Sequence, residues 1–228
     1  MTKHTLKAAF LRSLPVMVGY LIIGFGFGIL MRSQGRGLGW SLAMSLFIYA
    51  GSMQYVGISL LSAPASLLTA ALTTLMINAR HLFYSISMIG KYKDAGTYKP
   101  YLIFALTDET YALLSAEREN REDFHSFCFF VSLFNHVYWI LGTALGSVFA
   151  AALPFSTDGV SFSMTALFVS AYTEQWLSGS HRLSAALGLL VALIARLLFG
   201  RDLFLIPSMV IITLMLLAFR KPLSKEGT

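Results

Sequence analysis

Residues 49–55 read Tyr-Ala-Gly-Ser-Met-Gln-Tyr and residues 73–84 read Thr-Thr-Leu-Met-Ile-Asn-Ala-Arg-His-Leu-Phe-Tyr, and each stretch lies inside a long apolar run. Burying an unpaired charge in hydrocarbon costs about 2.5–3.5 kcal/mol even on the lenient insertion scale. Gln54, Asn78 and Arg80 are therefore expected to face polar partners. The pattern predicts a membrane protein with a polar interior, which is typical of a pathway across the membrane.

The composition is that of a membrane protein. Of the 228 residues, 56% are hydrophobic and 12% are charged, whereas a soluble domain carries about 25% charged residues. The apolar residues form blocks of about 20, the length that crosses roughly 30 Å of hydrocarbon. Because hydrocarbon offers the backbone no hydrogen-bond partner, such blocks are helices or the strands of a closed barrel. Barrel strands alternate polar and apolar residues and these blocks do not, so we predict an all-α, polytopic bundle of membrane helices.

Charge and motifs exclude several functions. The net charge of +6 comes from basic residues between the apolar blocks and at both ends, which indicates headgroup contacts rather than nucleic-acid binding. Cys128 is the only cysteine, so neither an intrachain disulfide nor a cysteine-bound metal is expected. The sequence has no recognisable nucleotide-binding or hydrolase motif. We therefore predict no enzyme, no catalytic residue, no cofactor and no metal site.

Eight hydrophobic segments follow one another with short connections and are predicted to form one transmembrane domain over residues 1–228. They cover approximately residues 12–31, 39–62, 64–90, 101–117, 124–152, 160–178, 183–200 and 203–219. If all eight cross, the N-terminus lies inside, as Lys3, Lys7 and Arg12 favour. If segment 101–117 only dips into the membrane, seven cross, and an outside N-terminus then places more Lys and Arg inside. The sequence leaves both topologies open.

A weak internal repeat relates two halves, about residues 10–117 and 124–220. The matched positions are Gly39, Ser41 and Met44 with Gly159, Ser161 and Met164, and residues 80–83 with 201–204. Repeats are common in transporters, where the substrate site lies between the halves. The halves would be inverted if segment 101–117 does not cross and parallel if it does.

Small residues crowd two of the segments. Gly24 and Gly28 form one G-x-x-x-G pattern, and Gly142 and Gly146 form another. Such glycines let helix backbones approach closely, and we favour this interpretation over a helix weakened near the substrate. An exposed G-x-x-x-G face would also suit a second membrane protein.

Gly51 and Ser52 lie in the middle of a segment beside Gln54. Glycine destabilises a helix interior by about 1 kcal/mol relative to alanine. One interpretation is an unwound turn that exposes backbone groups to a ligand, and the other is a plain kink at a helix contact.

Arg80 lies below the membrane surface, since residues 82–90 add about two helical turns beyond it. A buried guanidinium needs a carboxylate, and Asp108 or Glu109 is the first choice, ahead of Asp158. Neighbours on a helix point about 100° apart. One of the adjacent carboxylates can therefore bind a cation while the other meets water.

Two further groups are candidates for proton or ion coupling. His136 interrupts segment 124–152 and titrates in the physiological range, although a hydrogen-bonded core histidine is the commoner case. Asp158 opens segment 160–178 and either couples to an ion or caps its helix.

Together these residues resemble the AzlC family of bacterial inner-membrane permeases. The likeness is carried by residues 49–55 and 73–84, by Leu-Thr-Asp-Glu-Thr at 106–110, and by residues 158–162, which are similar to a later signature of the family. The resemblance implies a multi-pass inner-membrane protein that exports branched-chain amino acids such as valine, leucine and isoleucine, with methionine as a further substrate. It also implies a partner, a small AzlD-type membrane subunit.

A zwitterionic substrate needs donors for its carboxylate, acceptors for its ammonium and an apolar pocket for its side chain. Arg80 and the backbone of Gly51 and Ser52 suit the carboxylate, and the adjacent acidic residues suit the ammonium. The predicted substrate-binding residues are Gly51, Ser52, Gln54, Asn78, Arg80, Asp108 and Glu109. The predicted coupling residues are Asp108, Glu109, His136 and Asp158. The alternatives are a non-transporting assembly or regulatory subunit, and a small-ion channel.

Overall fold

A computed structural model describes most of the chain. It covers residues 3–62, 66–115, 117, 123–152, 162, 169, 172–173, 176–177 and 182–218. The chain divides into two compact units, Met1–Ser163 and Met164–Thr228, and each is described by itself.

The predicted all-helical class is confirmed, since no strand occurs in the described ranges. The helices of the first unit are α1 Lys3–Ser33, α2 Leu38–Phe47, α3 Gly51–Ser62, α4 Leu67–Met88, α5 Lys99–Phe104, α6 Asp108–Ser115 and α7 Phe124–Ala152, with one 3₁₀ turn at Gly96–Tyr98. Those of the second unit are α8 Arg182–Leu203 and α9 Leu205–Ala218. Among the described helices, α1, α7 and the Arg182–Gly200 part of α8 are long and apolar enough to cross a membrane.

Helices α1 and α7 pack side by side through their glycines. A Cβ on Gly24 would lie 2.9 Å from the carbonyl oxygen of Trp139, and one on Gly142 would lie 2.7 Å from that of Leu21. Such separations are shorter than real Cβ contacts, so only glycine permits this approach. The predicted close packing is confirmed.

The two helices run parallel, because residues early in α1 meet residues early in α7. Thr5 bonds Asp123, and the Ser13 hydroxyl lies 3.0 Å from that of Tyr138. Both G-x-x-x-G patterns are consumed in this contact. The expectation that they form exposed faces for a second protein is therefore wrong for these two motifs.

The glycine contact predicts that a Gly→Ala change lowers stability at a position inside the contact and raises it at a position outside. A Cβ on Gly146 would overlap the Phe25 backbone, whereas nothing lies within 4 Å of one on Gly19. Gly146→Ala is expected to lower the unfolding free energy by about 1–3 kcal/mol through overpacking. Gly19→Ala should raise it by about 0.5–1 kcal/mol through helix propensity. Thermal denaturation in detergent measures both, and a Gly146→Ala protein as stable as the Gly19→Ala protein would refute the packing.

Segment 39–62 contains two antiparallel helices, α2 and α3. Tyr49 has a φ of 40°, a left-handed conformation that ends α2 and reverses the chain. The Gln54 amide returns to donate to the Ser45 hydroxyl at 3.2 Å. At the open end, Arg36 Nη2 donates to the Leu61 carbonyl at 2.6 Å. Helices α2 and α3 therefore form a hairpin whose two ends lie together beyond the end of α1.

Segment 101–117 is also two helices, interrupted at residues 105–107. The Lys91 ammonium, which precedes α5, donates to the carbonyls of Leu114 at 3.2 Å and of Ser115 and Glu117 at 2.7 Å each. The segment thus returns to its own start and forms the α5–α6 hairpin. These bonds satisfy carbonyls that the end of a helix leaves open. Asp108 begins α6. Its position in the middle of segment 101–117 had suggested the centre of a membrane span, and this is not where it lies.

The bases of the two hairpins, where the ends of each hairpin meet, lie at opposite ends of α1. The α2–α3 hairpin opens beside Arg36, which follows α1, whereas the α5–α6 hairpin opens beside the start of α1, where Arg12 pairs with Glu117 at 2.8 Å. Helix α4 connects the two hairpins, and its N-cap Ser66 accepts the backbone N–H of Thr69 at 3.1 Å.

The second unit contains α8 and α9, which pack against each other. Helix α8 is kinked at Gly200, whose φ of 74° suits glycine. The predicted internal repeat depends partly on residues 159, 161 and 164, which lie outside the described residues together with Asp158. The repeat therefore stays a prediction.

Candidate functional site

The tips of the two hairpins meet at one arginine of α4. Arg80 Nη1 pairs with the Asp108 carboxylate at the start of α6, and Arg80 Nη2 donates to the Ser52 hydroxyl at the start of α3. The ring centroid of Tyr49, at one tip, lies 6.2 Å from that of Phe104, beside the other. The ion pair predicted for Arg80 is confirmed, with Asp108 as the partner.

The ion pair is accessible and has unused hydrogen-bonding atoms. The side chains of Arg80 and Asp108 are 25% and 36% exposed. Arg80 Nε and Asp108 Oδ1 are buried and have no hydrogen-bond partner within the described part of the chain. A buried unpaired polar atom costs about 1–3 kcal/mol. The ion pair therefore has one unused donor and one unused acceptor, which are the two kinds of group that a zwitterion needs.

Gly51 and Ser52 belong to the first turn of α3, and residues 48–50 just before them are not helical. The break predicted from the glycine exists, but its residues are Ile48 to Ala50. A Cβ on Gly51 would lie 3.1 Å from the Trp139 ring, so the glycine lets α7 approach the tip closely. The first N–H groups of a helix have no partner within it and carry partial positive charge.

Glu109 faces α1 instead of Arg80. The Tyr20 hydroxyl donates to Glu109 Oε2 at 2.7 Å and lies 2.7 Å from the Thr107 hydroxyl. Thr107 contacts Thr110 at 3.0 Å, and the Asn135 amide donates to Thr110 at 3.0 Å. A continuous polar chain thus leads from Glu109 to α7. The adjacent carboxylates have different partners, as the helical geometry predicted.

Gln54 and Asn78 do not bond to the Arg80 pair. Gln54 is fully buried inside the α2–α3 hairpin, and its partner Ser45 also donates to Thr143 at 3.0 Å. The backbone carbonyl of Asn78 accepts a hydrogen bond from His81 Nδ1 at 3.2 Å. The side-chain Oδ1 of Asn78 is buried and has no partner among the described residues. Their predicted role in substrate binding stays a prediction.

His136 is held between two elements. Its Nε2 donates to the Ser45 carbonyl at 3.0 Å, its Nδ1 lies 3.0 Å from the Tyr101 hydroxyl, and its ring stacks on Tyr49 with centroids 4.1 Å apart. Both nitrogens are therefore satisfied, and the ring supports the tip of the α2–α3 hairpin. These contacts favour a structural role over the proton-carrying role predicted from sequence.

His136→Gln is accordingly expected to lower thermal stability, by about 1–3 kcal/mol for the lost buried hydrogen bonds, and to leave the pH dependence of transport unchanged. Tyr101→Phe removes one of the same bonds and serves as the graded control. A shifted pH profile in the His136→Gln protein would instead support proton coupling at this residue.

Sequence reasoning missed Tyr20, Thr107 and Lys91. Tyr20 is a single tyrosine in a glycine-rich span, and its pairing with Glu109 depends on the fold of the α5–α6 hairpin. The hydroxyl of Thr107 immediately precedes the two acidic residues, which was the available signal. No group of three or more His, Cys, Asp or Glu able to hold a metal occurs in the described ranges.

Comparison with known proteins now adds the family. A family model described as AzlC protein matches residues 15–153, which include most of α1, all of α2 to α7 and every residue of the Arg80 site. The chain belongs to the AzlC family. No solved structure matches the chain.

Relatives of this AzlC-family chain include membrane proteins of several bacteria. The "Branched-chain amino acid transport protein AzlC" of Bacillus subtilis is 40% identical over 96% of this chain and 87% of its own. An "Uncharacterized membrane protein" of Haemophilus influenzae is 43% identical over 92% and 87%. The "Inner membrane protein YgaZ" of Escherichia coli is 30% identical over 86% and 80%. The similarity extends over nearly the whole chain, so it includes the second unit as well.

Proposed function

We propose that this AzlC-family chain is a multi-pass permease of the bacterial inner membrane that exports branched-chain amino acids, with methionine as a further substrate. The name of the Bacillus subtilis relative supports the substrate class, and the apolar helices support membrane insertion. The observation that carries the proposal is Arg80, a guanidinium inside an apolar helix that joins the tips of two hairpins and keeps a buried donor unused.

The site suits the backbone of an amino acid. In our proposal the substrate carboxylate binds Arg80 and the backbone N–H groups of Gly51 and Ser52 in the first turn of α3. The substrate ammonium binds Asp108, whose Oδ1 is unused, and Glu109, which Tyr20 orients. A site that holds a cation and an anion about the width of one amino acid apart selects an amino acid over an amine or a simple acid. Each of those ligands lacks one charge and leaves a buried group of the site unpaired.

We further propose that three helices of the first unit cross the membrane while the hairpins enter from opposite faces. Helices α1 and α7 are long and apolar enough, and α4 is included because its 22 residues connect the two hairpins. Helices α2 and α3 have 10 and 12 residues, and α5 and α6 have 6 and 8, whereas a crossing helix needs about 20. One crossing between α1 and α7 also agrees with their parallel packing. This arrangement replaces the simple alternation of segments expected from the sequence.

Paired single cysteines test this topology in a Cys128→Ala background. Gln34→Cys and Ser62→Cys flank the α2–α3 hairpin and should react with an impermeant thiol reagent from one face. Asp94→Cys and Thr97→Cys precede the α5–α6 hairpin and should react from the opposite face. If segment 39–62 crossed instead, Gln34→Cys and Ser62→Cys would react from different faces, and the proposal would be wrong.

Transport then requires each hairpin tip to part from Arg80 in turn. Broken helices that meet at mid-membrane are a recurrent transporter design, in which access alternates around a central site. Arg80 contacts both tips, so its occupancy by substrate can be communicated to either hairpin. Asp108 and Glu109 are the proposed coupling residues, and Asp158 is a further candidate of smaller expected effect.

We also propose a small AzlD-type membrane subunit as partner. This proposal follows from the family resemblance, since the G-x-x-x-G faces that had suggested a partner pack within the chain. Stable co-purification in detergent with the small membrane protein encoded beside this chain is expected. Full transport activity of this chain alone would remove the need for the partner.

The function is tested in cells that lack their own exporters of branched-chain amino acids. Cells loaded with a valine dipeptide should release valine faster when they express this chain with its partner. A matched strain expressing Arg80→Gln should not. If cells that express the wild type release valine no faster than cells without it, the non-transporting subunit is favoured. Release of ions without valine would favour the channel.

A further inference from the structure

We infer that the Ser52 hydroxyl is a displaceable placeholder for a substrate carboxylate on Arg80. The inference builds on the proposed function and assigns one residue a specific task. In the substrate-free protein Ser52 occupies the position that a carboxylate oxygen takes when an α-amino acid binds.

The guanidinium edge that faces Ser52 is half used. A guanidinium offers a carboxylate two parallel N–H groups, and the Nε and Nη2 groups form one such pair. Arg80 Nη2 donates to Ser52, whereas Arg80 Nε is buried and has no hydrogen-bond partner among the described residues. The Ser52 hydroxyl oxygen accepts from only one of the two donors here. A carboxylate on the same edge would satisfy both.

Asp108 is not the group that must leave. Its Oδ2 pairs with Nη1, on the other side of the guanidinium from Nε. It can therefore keep Arg80 charged and oriented while a second carboxylate binds the Nε and Nη2 edge. Asp108 Oδ1, buried and unpaired within the described chain, then remains for the substrate ammonium.

Displacing Ser52 also removes the hydrogen bond between Arg80 and the tip of the α2–α3 hairpin. Ser52 provides the contact between Arg80 and the first turn of α3, while the base of the hairpin stays attached through Arg36 and Leu61. Carboxylate binding thus exchanges a bond between α4 and the hairpin for a bond between α4 and the substrate. Ser52 is in this sense a positioning and specificity residue.

Two substitutions at Ser52 have opposite consequences. Ser52→Ala removes the competing hydroxyl, so valine should bind about threefold more tightly or better, a change within one tenfold step of affinity. Ser52→Asp supplies its own carboxylate to Arg80, so valine binding should be lost while the protein stays folded. Ser62→Asp makes the same change at the exposed base of the hairpin and should bind valine like the wild type.

The test is calorimetric titration of the purified full chain with valine and with valinamide, which lacks the carboxylate, together with melting temperatures of all variants. The expected result is tighter valine binding by Ser52→Ala, none by a stably folded Ser52→Asp, and no valinamide binding by any variant. A tenfold weaker affinity in Ser52→Ala, or wild-type affinity in Ser52→Asp, would overturn the inference and leave the proposed function standing.

Failure of the proposed function gives a different pattern. If the wild type binds no valine, isovalerate is used as a probe that has the carboxylate without the ammonium. Isovalerate should then raise the melting temperature of the wild type and of Ser52→Ala but not that of Ser52→Asp. Equal effects on the wild type and Ser52→Asp, or none on either, would overturn the placeholder itself.

Discussion

Arg80→Gln is expected to abolish valine transport and to reduce the amount of folded protein. The substitution removes the donors for the substrate carboxylate, and two charge-assisted bonds correspond to a loss of about a hundredfold or more in transport efficiency. It also leaves Asp108 without its counter-ion. Removing one partner of a fully buried pair costs about 3–5 kcal/mol, and this partly exposed pair should cost less, about 1–3 kcal/mol.

The two effects separate in a double variant. Arg80→Gln combined with Asp108→Asn has no unpaired charge, so expression and melting temperature should recover towards the wild type. Transport should not recover, because the carboxylate donors are still missing. Arg32→Gln, the same change at an exposed residue, is the control. Strictly additive losses of stability in this cycle would show that the ion pair contributes nothing.

Glu109→Gln is the second change with a large expected effect. In the proposed site Glu109 supplies a charge for the substrate ammonium, and Tyr20 orients it. Valine transport should therefore fall about tenfold or more, the loss expected when a hydrogen bond to a charged group is removed. Tyr20→Phe removes only the orienting hydroxyl and should lower transport less. Flux at equal expression, measured over a range of valine concentrations, distinguishes the two.

Glu117→Gln is the matched control, because Glu117 pairs with Arg12 away from the hairpin tips. Asp158→Asn should also have a smaller effect than Glu109→Gln. Unaltered export by both Asp108→Asn and Glu109→Gln would remove the two carboxylates from the mechanism.

The sequence predicted the helical class and one central contact. The bounds 124–152 of the fifth segment coincide with those of α7, because that run contains no proline and no Asp, Glu, Lys or Arg. The pairing of Arg80 with Asp108 was predicted from the cost of a buried charge. Asp108 and not Glu109 is the partner because the two side chains diverge on the first turn of α6.

The hairpins could not be predicted in this way. Hydropathy measures how many apolar residues follow one another but not whether the chain turns back among them. The reversal at Tyr49 is held by distant contacts, including His136 stacked on its ring, so the nearby Gly51 indicated a break but not a reversal of the chain. Segments 39–62 and 101–117 therefore have the composition of crossing helices without the geometry.

The site was only partly predictable for the same reason. Arg80, Asp108 and Ser52 are polar residues in apolar surroundings and stand out in the sequence. The bases of the two hairpins lie at opposite ends of α1, and their tips meet at Arg80. This arrangement depends on Arg36 and Lys91, which hold the two ends of each hairpin together at its base.

The most direct measurement is uptake of labelled valine into proteoliposomes that contain this chain and its small partner, with and without a proton gradient. The wild type should accumulate valine against its concentration gradient. The Arg80→Gln/Asp108→Asn double variant, folded to a similar melting temperature, should take up no more than empty liposomes. Accumulation by the double variant at the wild-type rate would contradict a transport site at Arg80, and wild-type uptake equal to that of empty liposomes would contradict transport itself.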